Sequence, residues 1–495
     1  MSIGQLITPG SRPIPSHRYI PTTTSHLGPE CFFMAETVLL APPARRVGAQ
    51  RQPTRIGQRY FIRTFGCQMN EHDSERIAGL LVADGMAATT ELEDADVMFI
   101  NTCTIREAAD TRMYGNLGQL KEWKDRHPEA LLVVGGCAAQ KDREMIRERA
   151  PWVDVVMGTN NLDRILDLID HAQAWGGITE VAEELETMPS SLPVHRELAH
   201  SAWISIQVGC NNSCTFCIVP SVRGPEVSRR PGDILREVVG LASQGVVEVT
   251  LLGQNVDTYG RDLALDGRRR PLFAELLRQV GSVDGIRRIR FTSPHPADFR
   301  PEVAAAMAET PAVCEQLHLP LQSGSDRILA AMHRGYNIAR YKEKLALARR
   351  EIDDLSISTD IIVGFPGETE EDFEATLELV AEARFDQAFM FIFSPRPGTR
   401  AFGMQSLFVP HEVIQERFDR LVALQNRISL ELNTAMIGRV VEVLAEGPSR
   451  KDQGVATTRT RGGKVVHVPG HFNPGTFIDA QLTSAAPHHL IGHPV

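Results

Sequence analysis

The sequence predicts an α/β protein in three parts: an N-terminal doubly wound parallel α/β domain, a central partial (β/α)6 barrel and a small C-terminal β-barrel. Three observations predict it. From about residue 58 to 171, short apolar runs alternate with amphipathic segments, the pattern of a parallel sheet with crossover helices. The alternation resumes from Trp203 to about Arg400 as six strand-plus-helix units, too few to close an eight-fold barrel. From about Thr434, four short strand-like runs separated by Gly and Pro turns replace the helices, which implies a small barrel.

Bulk composition narrows the function classes. The chain has 495 residues, 42% hydrophobic and 23% charged, which is ordinary for a soluble protein of several domains. No apolar run reaches the length of a membrane span and the start lacks a compact apolar segment, so a cytoplasmic protein without a membrane partner is expected. Eight cysteines in such a chain suggest reduced thiols with metal or catalytic use. The net charge of −10 argues against a generic nucleic-acid coat but leaves room for local basic surfaces.

Residues 1–57 are rich in Pro, Thr, Ser, Gly and Arg without periodicity, and read as a disordered extension. Met34 offers an alternative start, and Cys31 is an unremarkable thiol. In the first domain, 58–174, the expected strands are Tyr60–Phe65, Asp96–Ile100, Leu131–Val134 and Val153–Met157. Helices are expected over Asp73–Leu81, up to Trp123, over Lys141–Arg149 and over Leu162–His171. Cys67, Cys103 and Cys137 each follow one of the first three strands. In an open parallel sheet the carboxyl ends of the strands share one edge, where ligands bind. Any one of these could be a buried free cysteine. Three repeating the same strand-end position point to a cluster with three protein ligands. Residues 175–200 read as a linker.

The barrel, 201–433, has expected strands Ile204–Val208, Glu248–Leu252, Arg287–Thr292, Gln316–Leu321, Ser358–Val363 and Phe389–Phe393. The loop after the first holds Cys210, Cys214 and Cys217. Thiolates at this spacing suit zinc or an iron–sulfur cluster. A structural zinc site wants four ligands, and no fourth Cys or His is near; a zinc knuckle would have to borrow a distant one. Three thiolates on a four-iron cube leave one iron open. Cys314 reads as a core thiol, and the Arg223-Gly224…Arg229-Arg230 loop as either a solvated surface or a partner for carboxylate or phosphate. In the last part, 434–495, Arg439, Arg450 and Lys451 join Arg459, Arg461 and Lys464 against few acids. Such a basic barrel suits RNA, with Arg459, Arg461 and Lys464 the candidate contacts.

The C-x3-C-x2-C spacing with Phe216 before the last Cys resembles the signature of radical S-adenosylmethionine (SAM) enzymes. Joined to a three-thiol α/β domain and a basic barrel, it resembles the methylthiotransferase family of those enzymes, whose C-terminal module is the TRAM domain. The resemblance covers about residue 58 to the end. Thr64-Phe-Gly-Cys-Gln-Met-Asn70 and Asn101-Thr-Cys-Thr-Ile-Arg-Glu107 look like the bacterial tRNA branch acting on N6-isopentenyladenosine. The threonylcarbamoyladenosine branch is the alternative, and a zinc-stabilised, non-catalytic RNA-binding protein the alternative of another class.

By resemblance, Cys67, Cys103 and Cys137 hold an auxiliary 4Fe-4S cluster, and Cys210, Cys214 and Cys217 the cluster that cleaves SAM. The family replaces C2–H of the adenine 3′ of the anticodon with a methylthio group, using one SAM as methyl source and another as radical source. Polar and glycine-rich turns at the other strand ends make Gln254, Asn255, His295, Gln322 and Ser323 candidates for contacting SAM. The implied partners are the tRNA anticodon stem-loop, an electron-donor protein of flavodoxin or ferredoxin type and a sulfur donor, with the enzyme a monomer. The base must leave the loop stack, so aromatic or Arg stacking is expected.

Overall fold

The computed structural model describes residues 52–104, 107–183, 192–196, 198–264, 267 and 269–495. The expected N-terminal extension therefore lies mostly outside them. Its last residues are anchored: the Arg55 guanidinium is buried against the carboxylates of Asp84 and Asp170, and the Thr54 amide donates to Asp84 Oδ1 at 3.1 Å.

The N-terminal strands are β1 (Arg59–Thr64), β2 (Ala87–Ala88), β3 (Val97–Thr102), β4 (Leu131–Gly136), β5 (Val155–Met157) and β6 (Ile178–Glu180). They form one parallel sheet in the order β2-β1-β3-β4-β5-β6. β3 and β4 are buried along their whole length, as strands covered on both faces must be. Helices α1 (Gln68–Ala83) and α5 (Ile165–Trp175) pack on one face through Ile77, Leu81, Ile165 and Leu168. The other face carries α2 (Glu107–Arg126), α3 (Cys137–Asp142) and α4 (Glu144–Arg149), packed through Leu117, Trp123, Ala138 and Ile146.

Two expectations are corrected here. The helix expected over Lys141–Arg149 is broken at Arg143, whose φ of 49° lets the chain turn between α3 and α4. The stretch read as a linker from residue 175 first adds β6 to the sheet, too short a strand for its alternation to be visible.

The barrel strands are β7 (Ser201–Ser205), the short antiparallel pair β8 (Gln207–Val208) and β9 (Val227–Ser228), then β10 (Glu248–Leu252), β11 (Arg288–Phe291), β12 (Gln316–His318), β13 (Ser356–Val363) and β14 (Gln387–Ile392). They make two parallel three-stranded sheets, β7-β10-β11 and β12-β13-β14, which meet where Ile289 bridges Val313. α6 (Val219–Arg223) follows the cysteine loop and packs on Cys137, and outside the sheets lie α7 (Pro231–Ser243), α8 (Phe273–Gly281), α9 (Pro301–Glu309), α10 (Asp326–Ala331), α11 (Ile338–Glu351) and α12 (Glu370–Ala383). The run expected as one strand, Ile204–Val208, is split at Ile206, after which β8 turns away to pair with β9. The 24-residue helix α13 (His411–Thr434) backs β14, a helix that the apolar pattern of the sequence does not announce.

Five strands close the C-terminal barrel in the order β15-β16-β17-β19-β18: β15 (Val440–Pro448), β16 (Val455–Thr460), β17 (Val465–Pro469), β18 (Phe477–Ala485) and β19 (Leu490–Pro494). The fifth, β19, goes beyond the four expected; its Pro and Gly content hides it. The barrel docks on the amino-terminal ends of the central strands. Arg288 donates to the Arg459 carbonyl at 2.8 Å, and Arg290 to the carbonyls of Arg461 and Thr460, both at 2.8 Å. The opposite ends of those strands are left for the cysteines. Among the described residues no helix is long and apolar enough to cross a membrane.

Candidate active site

Strand order determines where the N-terminal cysteines meet. The order reverses between β1 and β3, which sends their following loops to opposite faces and opens a crevice. Cys67 follows β1 at the amino end of α1, and Cys103 follows β3. Cys137, after the neighbouring β4, opens α3. The crevice is stapled by buried amides. Asn70 Nδ2 donates to Asn101 Oδ1 at 3.1 Å and to the Thr102 carbonyl at 3.0 Å, and Asn101 Nδ2 donates back to the Asn70 carbonyl at 2.7 Å. Cys103 and Cys137 are buried and Cys67 half-buried.

Gly136 shows how tightly this loop is built. Its φ is +91°, and a Cβ there would lie 2.4 Å from the Thr102 carbonyl oxygen.

A side chain from the central domain completes this surface. Arg223 of α6 is buried, lies close enough to the Cys137 thiol for its charge to act on it, and pairs with Asp73 of α1 at 2.8 Å. Of the two readings left open for its loop, pairing with a carboxylate is the one observed for Arg223.

The second triad sits where β8 ends. Gly209 (φ +78°) brings the chain so close to the next segment that a Cβ would be 1.9 Å from the Pro225 carbonyl oxygen. The loop is held from three sides. The Cys210 amide donates to the Gly224 carbonyl at 3.1 Å, the Thr215 amide to the Met332 carbonyl at 3.0 Å, and the Ala401 amide to the Thr215 carbonyl at 2.9 Å. Phe216 packs among Ile328, Met332, Phe365 and Ala401, which anchors the segment between Cys214 and Cys217. Burial pushes the Cys210 thiol up to about 11 and Cys217 to about 12. Thiols so placed become thiolates when a cation binds beside them.

Arg334, which no motif in the sequence singles out, touches this triad. Its buried guanidinium donates to Cys214 Sγ at 3.3 Å and to the Tyr336 hydroxyl at 3.3 Å. Tyr336 in turn donates to the Leu321 carbonyl at 3.0 Å.

The triads adjoin. Cys137 packs against Ile218, the residue after Cys217, and against Val222. Cys67 lies against the Met69, Val208 and Leu252 cluster, Val208 being two residues before Cys210. Among the described residues no three His, Cys, Asp or Glu side chains are gathered as a single metal ion would require.

Residues 204–380 match the model of the radical SAM superfamily, 59–158 that of uncharacterized protein family UPF0004, and 434–495 the TRAM domain. The chain is 53% identical over 442 residues to the tRNA-2-methylthio-N(6)-dimethylallyladenosine synthase of Saccharopolyspora erythraea, covering 87% of this chain and 89% of that protein. The protein of the same name from Mycobacteroides abscessus is 54% identical, with 87% of each covered. This chain belongs to the tRNA-2-methylthio-N(6)-dimethylallyladenosine synthase family. A solved radical S-adenosylmethionine methyltransferase, TsrM from Kitasatospora setae, shares the fold with a TM-score of 0.51 at 13% identity, over 70% of this chain and 75% of that one.

Membership in the radical SAM superfamily brings SAM and a 4Fe-4S cluster to the barrel. The strand ends fit a polar cofactor there. Gln254 Oε1, Asn255 Oδ1, His295 Nε2 and Gln322 Oε1 are buried at those ends without a hydrogen-bond partner in the protein, which an apolar packing role would not leave. Burial, aided by the Arg334 charge, lowers His295 to about 3, so its ring is neutral. Ser323 differs from the others. Its hydroxyl is turned inward, accepting from the Ser325 amide at 3.2 Å and lying 3.5 Å from the Thr376 hydroxyl.

The three expected RNA contacts are half-buried, and each is engaged in an ion pair. Arg459 pairs with Glu446 at 2.5 Å, Arg461 with Glu315 at 2.8 Å and Lys464 with Asp386 at 2.6 Å. The latter two fasten the small barrel to the central one. Composition registers these cations but not the acids that the central domain brings to Arg461 and Lys464. Arg450 and Lys451, on the turn after β15, are exposed.

Proposed function

We propose that this chain is the methylthiotransferase that acts on C2 of N6-dimethylallyladenosine in tRNA, at the base 3′ of the anticodon. The observation that carries the reading is the adjacency of two three-cysteine loops, with Cys137 packed on the residue after Cys217, in a member of this family. Cys210, Cys214 and Cys217 would hold the SAM-associated cluster, and Cys67, Cys103 and Cys137 a second 4Fe-4S cluster. Together with SAM, these groups supply radical hydrogen abstraction at C2 and the methylthio group.

The chain's own residues bind and orient. Gln254, Asn255, His295 and Gln322 offer acceptors and a neutral imidazole to SAM, while Ser323 shapes their turn. Arg223 joins the two domains at the thiols, so the spacing of the triads is set by a buried ion pair rather than by a flexible hinge. Apolar neighbours Ile218, Val208 and Met69 keep water from the space between them. Exposed Arg450 and Lys451 of the small barrel are placed to meet tRNA phosphate. Cytoplasmic residence, a monomeric state, a flavodoxin- or ferredoxin-type electron donor and a separate sulfur donor complete the reading.

The test is mass analysis of bulk tRNA nucleosides from a strain lacking this gene, complemented with wild type or with Cys67→Ala. Wild type restores the 2-methylthio nucleoside, and the variant leaves the N6-dimethylallyl precursor. Restoration by Cys67→Ala would remove the second cluster from the reading. Appearance instead of a methylthiolated threonylcarbamoyl nucleoside would move the enzyme to the neighbouring branch.

A further inference from the structure

The inner wall of the central barrel carries an aromatic ring that packing does not account for. Along β14, Ala388, Met390 and Ile392 pack on the helix side, so Phe389 faces the barrel interior. It is 43% exposed. Its cross-strand partner is Asp360 of β13, also on the inner face. His318 of β12 completes the group: its ring meets Phe389 edge-on at 5.8 Å and its Nε2 lies 3.3 Å from Asp360 Oδ2. Ser358 Oγ, 3.0 Å from His318 Nδ1, fixes the ring.

Asp360 and His318 keep 28% and 21% of their side chains open, so the recess offers a carboxylate and an aromatic face together. Ser358 also borders Lys464 of the small barrel, and Asp360 lies two residues further toward the carboxyl end of β13. Past the carboxyl end of β12, the Leu321 carbonyl accepts from Tyr336, whose hydroxyl accepts from Arg334, and Arg334 reaches Cys214.

Resting on the methylthiotransferase reading, we infer that Phe389, Asp360 and His318 form the recess that receives the N6-alkylated adenine. The chemistry matches on two counts. The substrate N6 carries one hydrogen, and a carboxylate is acceptor-only at neutral pH, so Asp360 takes that hydrogen bond. The dimethylallyl tail and the base are apolar and flat, and an exposed phenyl ring is the surface on which a flipped base and its tail pack. His318 holds the carboxylate in place and touches the ring. It is a positioning residue, whereas Phe389 and Asp360 touch substrate.

The two contacts separate in one experiment. Binding of anticodon stem-loops, unmodified or carrying N6-dimethylallyladenosine, is measured by anisotropy for wild type, Phe389→Ala and Asp360→Asn. Wild type prefers the alkylated loop. Phe389→Ala weakens binding of the alkylated loop by about tenfold, the scale of one base–aromatic contact, and that of the unmodified loop by less, because it lacks the tail, so the preference for the alkylated loop shrinks. Asp360→Asn weakens both, because both present an N6–H. Phe389 is part-exposed and Asn is isosteric with Asp, so both variants are expected to fold; circular dichroism and iron content check this. Unchanged preference in Phe389→Ala, or unchanged affinity in Asp360→Asn, overturns the inference. Wild type that fails to distinguish the loops overturns instead the reading on which it rests.

Discussion

Gly209 and Arg334 carry the sharpest consequences for single residues. A methyl group at Gly209 would sit 1.9 Å from a backbone oxygen in a conformation that L residues avoid, so the loop must move. Gly209→Ala is expected to lose the iron of the barrel site while keeping that of the N-terminal domain, read by iron analysis after reconstitution. Full iron content would contradict it. Arg334 places a positive donor on Cys214, and hydrogen bonds to the sulfurs help set a cluster's potential. Arg334→Met removes a charge that favours the added electron. The midpoint potential of the barrel cluster, followed by electron paramagnetic resonance, is expected to fall; an unchanged potential would show that the guanidinium only packs. The cysteines are legible in the sequence because spacing and strand-end position repeat. Arg334 is not, since it lies 120 residues from the thiol it meets and only the folded barrel brings the end of α10 to the loop.

At the level of elements, α12 owes its start to a reciprocal cap. The Thr369 hydroxyl accepts from the Asp372 amide, and Asp372 Oδ2 accepts from the Thr369 amide at 2.9 Å. Partial burial opposes ionisation of Asp372, but hydrogen bonds from Arg327 and Ser325 outweigh it and hold its carboxyl below the ordinary carboxylate range. A depressed folded pKa stabilises above the unfolded value and loses that contribution as pH falls through the folded one. Asp372→Asn is therefore expected to lower the urea midpoint at pH 7, with the gap from wild type closing below about pH 4. A gap that persists unchanged into acid would refute the assignment. Periodicity reads the long parallel strands well, since β3 and β4 are continuous apolar runs. It misses β6 and β19, which are short or carry Gly and Pro. It also misses α13, whose buried face includes Arg417, Gln425, Ser429 and Asn433 and so does not stand out as apolar.

Across the whole molecule, the small barrel is fixed to the base of the central one by charge-assisted bonds to backbone. Arg288, with no exposed side-chain area, binds the Arg459 carbonyl and Glu442. Arg288→Met is expected to cost about 2 kcal/mol, as for hydrogen bonds to a charged group, read from denaturant unfolding. A loss within error would mean the interface is held elsewhere. The charge pattern of the sequence suggests a basic, RNA-facing barrel. At Arg461 and Lys464 the fold adds what the barrel's own composition does not register: the paired acids, Glu315 and Asp386, come from the other domain.

The two triads bear most of the weight. Iron, acid-labile sulfide and zinc per chain should be measured on anaerobically reconstituted protein. About eight irons with matching sulfide are expected. That number should halve when Cys210, Cys214 and Cys217 are replaced by Ala, and equally when Cys67, Cys103 and Cys137 are. Zinc in place of iron, or iron untouched by the second replacement, would contradict it.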